Sequence, residues 1–302
     1  MAYARQADAN VITQQYMDSI LIESRYIDSV IANTEIEFLG ETFSMPVMTP
    51  AFSHLSNYDG REKTGLEEYS EAARDLNILN FCGMMENDQF KKLVDTGAKT
   101  IRIVKPYADN GKIKDQMQFA ESVGAFGIGM DIDHIFGNDG YDVVVGEEMS
   151  FQTSEMLHSY VELTKLPFVV KGVLSVADAV KSADIGAKAI IVSHHHGRLP
   201  FGIPPVMALQ EIRRAMPQTA MKIFVDCSIE TGYDAFKALA LGADAVSVGR
   251  GILPGLLKEG KEGVIKKVNR MNEELSEMMG YTGIRDLSQM DSSVIVHHGR
   301  HL

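Results

Sequence analysis

Three consecutive histidines and an arginine lie in the segment IIVSHHHGR, residues 190–198. In an extended stretch His195 shares one side with Ser193 while His194 faces the other, so one histidine can face a site alone. Imidazole titrates near neutrality and guanidinium pairs bidentately with carboxylate, which suits a general base beside Arg198 as the holder of a substrate carboxylate. Zinc ligands usually come from spaced positions or separate segments, so we expect no metal site here.

Two further charged residues end apolar runs. Lys171 ends the run PFVVK, and a buried ammonium is costly unless an anion or polar ligand meets it. We interpret Lys171 as a group that stabilises negative charge developing on a cofactor ring during reduction. Asp133 is a candidate to orient the histidine and to stabilise its charged form, and the alternative is an aspartate that caps the next helix.

The triplet Gly249-Arg250-Gly251 is a candidate phosphate site. Glycine allows the backbone to approach an anion closely, and arginine offers a forked donor that a phosphate accepts in two bonds. The alternative is an ordinary helical turn that carries a surface arginine. The context of the surrounding elements favours phosphate.

Those elements alternate along the chain. Eight apolar runs typical of strands buried on both faces lie at Pro46–Thr49, Ile78–Cys82, Thr100–Val104, Phe126–Asp133, Pro167–Val173, Ala187–Ser193, Lys222–Ser228 and Ala245–Gly249. Between them, apolar residues recur at three- and four-residue intervals in Gly65–Leu76, Lys112–Val123, Val176–Ile185, Pro204–Ala215 and Gly232–Leu241. Seven units separate residues 46 and 245, roughly 28 residues each, which is close to the ~31 of a TIM barrel.

The alternation therefore predicts an α/β fold with one (β/α)₈ TIM barrel in a single domain over residues 1–302. Residues 1–45 form a lead-in, in which Val30–Phe43 caps the bottom of the barrel. Residues 46–251 form the barrel, and residues 252–302 form C-terminal helices and a tail that begins at Val294. Active sites of such barrels lie at the C-terminal ends of the strands. This rule selects Asp131, Asp133, Lys171, Ser193 to Arg198, Asp226, Ser228, Gly249 and Arg250.

Composition excludes several classes of protein. The 29 basic and 41 acidic side chains give a net charge of −12, which argues against a nucleic-acid or anionic-membrane surface. The two cysteines, Cys82 and Cys227, form no CxxC pair and no disulfide framework. With no apolar core of signal-peptide length at the start, we expect a cytoplasmic protein.

Several segments in order carry a family resemblance. LPFVVKGVLSVADAV, AIIVSHHHGR, FVDCSIETGYDAFKALALGADAVSVGR and ELSEMMGYTGIRDL resemble the FMN-dependent α-hydroxy-acid oxidases and dehydrogenases, the glycolate and lactate oxidase family. The likeness runs from about Glu35 to Leu287 and is strongest in the second half. In the first half, ANTEIEFLGETFSMPVMTPA and GIGMDID are similar to the approach to strand one and to the segment with the catalytic aspartate.

The resemblance implies a cofactor, FMN, and a role for each matching residue. His195 corresponds to the active-site base, Asp133 to its partner and Arg198 to the ligand of the substrate carboxylate. Lys171 corresponds to the lysine beside flavin N1 and O2. The remaining cofactor-binding positions are Ser193 at the isoalloxazine ring, Asp226 at the ribityl chain, Ser228 after it, and Gly249 and Arg250 at the phosphate.

The chain departs from the family pattern at several positions. Glu230 stands where the family has a phosphate-binding arginine, and its carboxylate would repel a phosphate. Asp131 replaces a threonine near the flavin. Of the paired active-site tyrosines, one belongs to an N-terminal segment that is missing by this comparison, and Lys105 lies near the position of the other, with Tyr107 close in sequence. The connection Ile135–Gln152 is shorter than the usual fourth loop, which predicts a more open site.

The resemblance implies oxidation of a small 2-hydroxy carboxylate to the 2-oxo acid, by a homo-oligomer that is a tetramer in much of the family. Two alternatives remain open at this point. One is a flavin-dependent isomerase or reductase on the same barrel, similar to type 2 isopentenyl diphosphate isomerase. The other is a non-catalytic barrel in which Glu230 and the lost tyrosines mark decay of the site.

Overall fold

A computed structural model describes residues 8–137 and 140–297 of the chain. Eight parallel strands form one sheet: β1 Val47–Met48, β2 Asn80–Cys82, β3 Thr100–Val104, β4 Gly127–Asp131, β5 Phe168–Val173, β6 Ala189–Val192, β7 Lys222–Val225 and β8 Ala245–Ser247. Neighbouring strands follow the order β1-β8-β7-β6-β5-β4-β3-β2. The predicted barrel is confirmed, and all eight strands lie within the predicted runs.

Thr49 closes the barrel between β1 and β2. Its backbone N–H donates to the carbonyl of Leu79 at 3.2 Å, and its hydroxyl accepts from the N–H of Phe81 at 2.8 Å. The same hydroxyl donates to Asn80 at 2.6 Å. One side chain thus supplies the pairing that the two short strands leave unmade.

The helices surround this sheet. They are α1 Ala9–Asp18, α2 Gly65–Leu76, α3 Asn87–Asp95, α4 Asn110–Ser122, α5 Ser154–Leu163, α6 Val176–Asp184, α7 Pro205–Ala215, α8 Gly232–Ala240, α9 Leu253–Glu259 and α10 Lys261–Tyr281. Local sequence sets several starts: Thr64 and Thr231 each form a capping box with an acidic residue three positions later. Among the described residues, no helix is long and apolar enough to span a membrane.

The inside of the barrel is filled by apolar side chains. Phe81, Ile103, Val169 and Phe224 belong to one buried cluster inside the strands. A hairpin of Ile36–Phe38 and Glu41–Phe43 closes the end where the strands begin, with the Phe38 ring 4.8 Å from that of Phe224. This hairpin, which lies within Val30–Phe43, therefore covers the barrel bottom and leaves an open site to the opposite end.

The C-terminal segment differs from the expected tail. Residues Ile295–His297 form an antiparallel pair with Ile20–Ile22, so the start and the end of the described chain are joined by a small sheet. The pairing partner is distant in sequence, which is why the local pattern gave no strand signal. Residues 298–302 of the predicted tail lie outside the described residues.

Candidate active site

Alternation along the strands builds the layer of side chains at the barrel mouth. Ile101 and Ile103 of β3, Val169 of β5 and Phe224 of β7 point inward. Because side chains of a strand alternate between its faces, the next inward positions are two residues further on. These positions carry Lys105, Asp131, Lys171, Ser193, Asp226 and Ser247. The apolar interior is thus covered by one polar layer.

A buried carboxylate lies between two ammonium groups in this layer. Asp131 Oδ2 is 2.6 Å from Lys105 Nζ, and Asp131 Oδ1 is 3.0 Å from Lys171 Nζ. Burial opposes ionisation of Asp131, but the two lysines outweigh it and hold its pKa well below the ordinary value. Burial likewise opposes the charge on Lys171, and Asp131 and Asp226 outweigh it, so its pKa is raised. Asp131 and Lys171 are therefore both charged at neutral pH.

Asp131 and Lys105, two residues that depart from the family pattern, form an ion pair with each other. A lysine at the mouth needs a buried counter-charge, and Asp131 supplies it. Sequence reasoning noted both positions separately and missed their pairing, because β3 and β4 are adjacent only in the folded sheet. Tyr107 does not replace the lost tyrosine at the mouth, since it is buried and its ring lies against Lys112 Nζ at 4.7 Å.

His195 and Asp133 form a hydrogen-bonded pair. His195 Nδ1 is 3.0 Å from Asp133 Oδ1 and 3.2 Å from Oδ2. Burial opposes ionisation of Asp133, and the hydrogen bond from His195 outweighs it and lowers its pKa. The alternative that Asp133 caps the next helix is wrong, because Thr153 caps α5. The imidazole proton on Nδ1 therefore faces a carboxylate, and Nε2 is left to act as a base.

The histidine segment is a turn rather than the expected extended stretch. His195 and His196 have φ of +46° and +58°, in the left-handed region. Ser193 stabilises the turn, since its hydroxyl accepts from the N–H of His195 at 3.0 Å. His194 contacts Thr13 of α1 at 2.8 Å, so the turn still directs His195 alone toward Asp133.

Arg198 contacts the backbone of Asp133, the partner of His195. Its Nε donates to the carbonyl of Asp133 at 2.9 Å, and a terminal nitrogen pairs with Asp142. Asp142 comes from the connection after β4, which forms two small hairpins at Phe136–Gly137 with Gly140–Tyr141 and Val143–Val144 with Glu147–Glu148. Sequence reasoning missed this partner, because no local pattern marks it.

His134 is a second imidazole at the mouth that sequence reasoning also missed. Its Nδ1 is 2.9 Å from Asp142 Oδ2, and its Nε2 is 3.4 Å from His195 Nε2. Burial lowers the pKa of His134 to about 4, and Lys105 and His195 add to this effect. His134 is consequently neutral at neutral pH.

A metal ion is a poor occupant of this cluster. Ligand atoms of Asp131, His134 and His195 lie within 4.8 Å of one another, a spacing that a cation could bridge. However, Lys105 and Lys171 already neutralise the only carboxylate of the three. A divalent cation would meet two ammonium groups at close range, which is electrostatically unfavourable.

A cavity of about 340 Å³ opens beside His195 at the mouth, within the size range of small-molecule sites. Of the predicted site residues, six line it: Lys171, His195, Asp226, Ser228, Gly249 and Arg250. Asp133, Ser193 and Arg198 are not among the lining residues and lie behind or beside His195. Glu230 lines the same cavity as Arg250, as the sequence comparison implied.

The N-terminal segment contributes to this cavity. Asn10, Val11 and Gln14 of α1 line one wall, so the N-terminal part of this chain reaches the site. No tyrosine is among the described lining residues, and α1 does not supply the one that the family pattern has there. Contacts such as Asn10 to His196 at 2.7 Å hold the helix in this position.

Residues that form this mouth match those of a known protein family. A model of the FMN-dependent dehydrogenase family matches residues 144–297, which are 154 of the 302 residues. The chain belongs to this family. The family match covers β5 to β8 and the residues from Lys171 to Arg250 that surround the cavity.

Curated relatives of the family include oxidases. The chain is 37% identical to a 2-hydroxyacid oxidase of Dictyostelium discoideum over 46% of this chain and 36% of the relative. It is 40% identical to a glycolate oxidase of Spinacia oleracea over 44% of this chain and 36% of the relative. An L-lactate oxidase of Nostoc is 36% identical over 55% and 46%. The matched segments thus span less than half the length of these relatives.

Solved structures extend the likeness to the whole barrel. A mandelate oxidase variant with a monooxide FMN adduct has a TM-score of 0.84 at 26% identity, covering 93% of this chain and 89% of that chain. Mandelate oxidase with 3,3-difluoro-2-hydroxy-3-phenylpropionic acid has a TM-score of 0.81 at 25% identity, covering 94% and 89%. The first half of this FMN-dependent dehydrogenase family member therefore has the family fold despite its weaker sequence likeness.

The cavity of this family member fits a phosphate-bearing cofactor. A Cβ built on Gly249, at φ +59°, would meet nothing within 4 Å, so the backbone is open to a ligand there. Cys227 and Ser228 have φ of +67° and +56°, a conformation that normally favours glycine. Retention of this strained turn without glycine is typical of a functional loop. Arg250 and Lys171 both line this cavity, so two cations are available to an anionic ligand there.

Proposed function

We propose that the chain binds FMN in the 340 Å³ cavity and oxidises a small 2-hydroxy carboxylate to the 2-oxo acid. The observation that carries the proposal is the His195–Asp133 pair at 3.0 Å beside a cavity lined by Lys171 and Arg250. Membership of the FMN-dependent dehydrogenase family supports the cofactor. The oxidase names of the relatives support the substrate class.

Each residue then has a defined task. FMN, when bound, supplies the two-electron acceptor for the hydrogen on the α-carbon of the substrate. His195 Nε2 takes the proton of the substrate hydroxyl, and Asp133 stabilises the imidazolium that forms. Lys171 stabilises negative charge at the barrel axis, because its ammonium is buried and stays protonated.

Substrate docking falls to Arg198. Its guanidinium is already held by the carbonyls of Asp133 and Phe136 and by Asp142, so it is preorganised near His195. Five N–H donors belong to a guanidinium, and the three contacts leave the donors of Nη1 for a substrate carboxylate. Preorganisation of this kind reduces the entropy lost on binding.

We assign the binding of the cofactor to four residues: Asp226, Ser228, Gly249 and Arg250. These residues come from the loops after β7 and β8, where barrels of this type hold phosphates. Glu230 opposes the phosphate from the same cavity wall. Lys267 of α10 lies close, since its Nζ donates to the Glu230 carbonyl at 2.6 Å, and it offsets part of that repulsion.

The test is an absorbance titration with FMN followed by anaerobic lactate, glycolate or mandelate. We expect a bound yellow cofactor that is bleached by at least one 2-hydroxy acid. His195→Asn should keep FMN binding and lower the bleaching rate by about 10²- to 10⁴-fold. His158→Asn, on exposed α5, is the matched control and should leave both unchanged. A protein that ignores FMN contradicts the proposal, and FMN binding without bleaching supports the non-catalytic alternative.

We further propose a homo-oligomer. Large apolar side chains are exposed around the mouth, including Phe136 at 71%, Val145 at 71% and Phe201 at 66%, and such patches are typical of protein interfaces. Light scattering of the purified protein should give a mass that is a multiple of the 33.3 kDa chain, four chains by family resemblance. A monomer at micromolar concentration contradicts this proposal.

We infer a cytoplasmic location from the cysteines. Cys82 and Cys227 are both free, and burial raises the pKa of the Cys82 thiol to about 12, which suits a reducing compartment. Cell fractionation with an antibody should place the protein with cytoplasmic markers, and recovery with an organelle would contradict it.

A further inference from the structure

Two imidazole rings meet edge to face at the mouth. The rings of His134 and His195 have centroids 4.5 Å apart and an interplanar angle of 76°. Their Nε2 atoms are 3.4 Å apart and aligned as a hydrogen bond. Of these two rings, the proposed function assigns a role to His195 and none to His134.

Both rings have the other nitrogen occupied in the same way. His195 Nδ1 faces Asp133 at 3.0 Å, and His134 Nδ1 faces Asp142 at 2.9 Å. A carboxylate only accepts hydrogen bonds, so each Nδ1 carries a proton and donates. Each neutral ring then presents a lone pair at Nε2, and two lone pairs cannot bond to each other. A hydrogen bond between the two Nε2 atoms therefore forms only once one of them gains a proton.

The surrounding charges favour placing that proton on His195. Lys105 lies on the side of His134 and disfavours a charge there. Asp133 faces His195 directly, and Asp131 Oδ1 is 3.8 Å from its Nδ1, so two carboxylates favour a charge on this ring. Lys171 and Arg198 are two further cations near the rings, and each already contacts a carboxylate.

We propose that His134 is a positioning residue for the reaction: its Nε2 lone pair accepts from the Nε2–H that His195 acquires. This inference rests on the proposed function. In the step, the O–H bond of the substrate breaks, its proton forms the N–H bond on His195, and the electron pair stays on oxygen. His134 takes no proton itself and stabilises the imidazolium, as a hydrogen-bond acceptor toward a charged donor does.

The first test compares two variants of the FMN-loaded protein. His134→Leu fills the site without an acceptor, and His134→Gln keeps an oxygen near the place of Nε2. We expect the leucine variant to lower the anaerobic bleaching rate roughly ten- to hundredfold, the loss of one hydrogen bond to a charged group. The glutamine variant should recover most of the rate. Half-saturating substrate concentrations should change little in either.

The pH profile separates positioning from a merely structural effect. Since the pKa of His134 is about 4, its lone pair is available at pH 6–8 and is lost as pH falls toward 4. The rate ratio of wild type to His134→Leu should therefore be constant from pH 6 to 8 and approach one near pH 4. A ratio that does not change with pH, or equal rates in the two proteins, overturns the proposal.

Nitrogen-15 NMR of the imidazoles gives a readout that needs no turnover. In the FMN-loaded wild type without substrate we expect the first Nε2 proton that appears as the pH is lowered to be bound between the two rings, and to exchange freely in His134→Leu. Separate Nε2 protons on both rings overturn the proposal. If the shared proton is present but no 2-hydroxy acid bleaches the wild type, the proposed function fails and the paired imidazoles stand.

Discussion

Asp131 is the residue on which the charge balance of the mouth depends. It is 2% exposed and contacts Lys105 and Lys171 within 3.0 Å. Asp131→Asn would leave two buried ammonium groups facing each other, so we expect the free energy of unfolding to fall by about 3–5 kcal/mol. Urea denaturation at pH 7 measures it. Asp95→Asn, in an exposed pair with Lys91, is the control and should change stability by about 0.5 kcal/mol or less.

The sign of the pH dependence follows from the lowered pKa of Asp131. A carboxyl with a lower pKa in the folded state contributes stability above its unfolded pKa of about 3.9. That contribution is lost as pH falls through the lower folded value. The stability difference between wild type and Asp131→Asn should be constant at neutral pH and shrink only in strong acid. A difference that disappears already at pH 6 contradicts this assignment.

Glu230 is the residue that opposes the proposed cofactor. Its carboxylate lines the cavity with Arg250 and would repel a phosphate. We expect Glu230→Gln to lower the Kd for FMN roughly three- to tenfold at low salt, and less at high salt because exposed charges are screened. Fluorescence quenching of FMN measures it. Glu37→Gln removes the same charge on the hairpin at the opposite end, and an equal effect there would exclude a local cause.

At the scale of elements, the loop between β7 and α8 carries backbone strain. Ser228 has φ of +56° without being glycine, which costs about 1 kcal/mol or more for an L-residue. We expect Ser228→Gly to exceed Ser228→Ala in free energy of unfolding by about 1 kcal/mol, since alanine keeps the strain and glycine relieves it. Thermal and urea denaturation of the pair decide it. Equal stabilities would mean that the loop relaxes in the variants.

The connection after β4 is the element that brings charge to the histidines. Asp142, between its two hairpins, contacts both His134 and Arg198. The consequence is that His134 and Arg198 are linked through one carboxylate. The sequence comparison predicted only that this connection, shorter than the family's usual fourth loop, leaves the site more open. Residues 135–152 have no local periodicity that predicts these contacts.

At the scale of the whole molecule, the hairpin that closes the barrel and the candidate active site lie at opposite ends of the barrel. Phe38 is 3% exposed and fills the bottom against Phe224. We expect Phe38→Ala to lower the free energy of unfolding by about 3–5 kcal/mol and to leave the FMN Kd unchanged. Phe136→Ala, which removes an exposed ring, should cost about 0.5 kcal/mol or less. A changed Kd in folded Phe38→Ala protein would show that the two ends are coupled.

The sequence by itself determined the barrel and part of the cavity wall. Apolar runs separated by helical patterns specify parallel strands buried on both faces, and the polar residue after each run is then at the mouth. This rule predicts Lys171, Asp226 and Arg250, because strand alternation is local. The pairing of side chains is different. Asp131 with Lys105, and His134 with His195, join residues of separate strands and loops.

Only the tertiary structure decided those pairs, and also the place of α1 over the cavity and the joining of Ile20–Ile22 to Ile295–His297. The physical reason is the same in each case. These groups are far apart in the sequence and come together only when the sheet closes, so no spacing along the chain predicts their contacts or their burial.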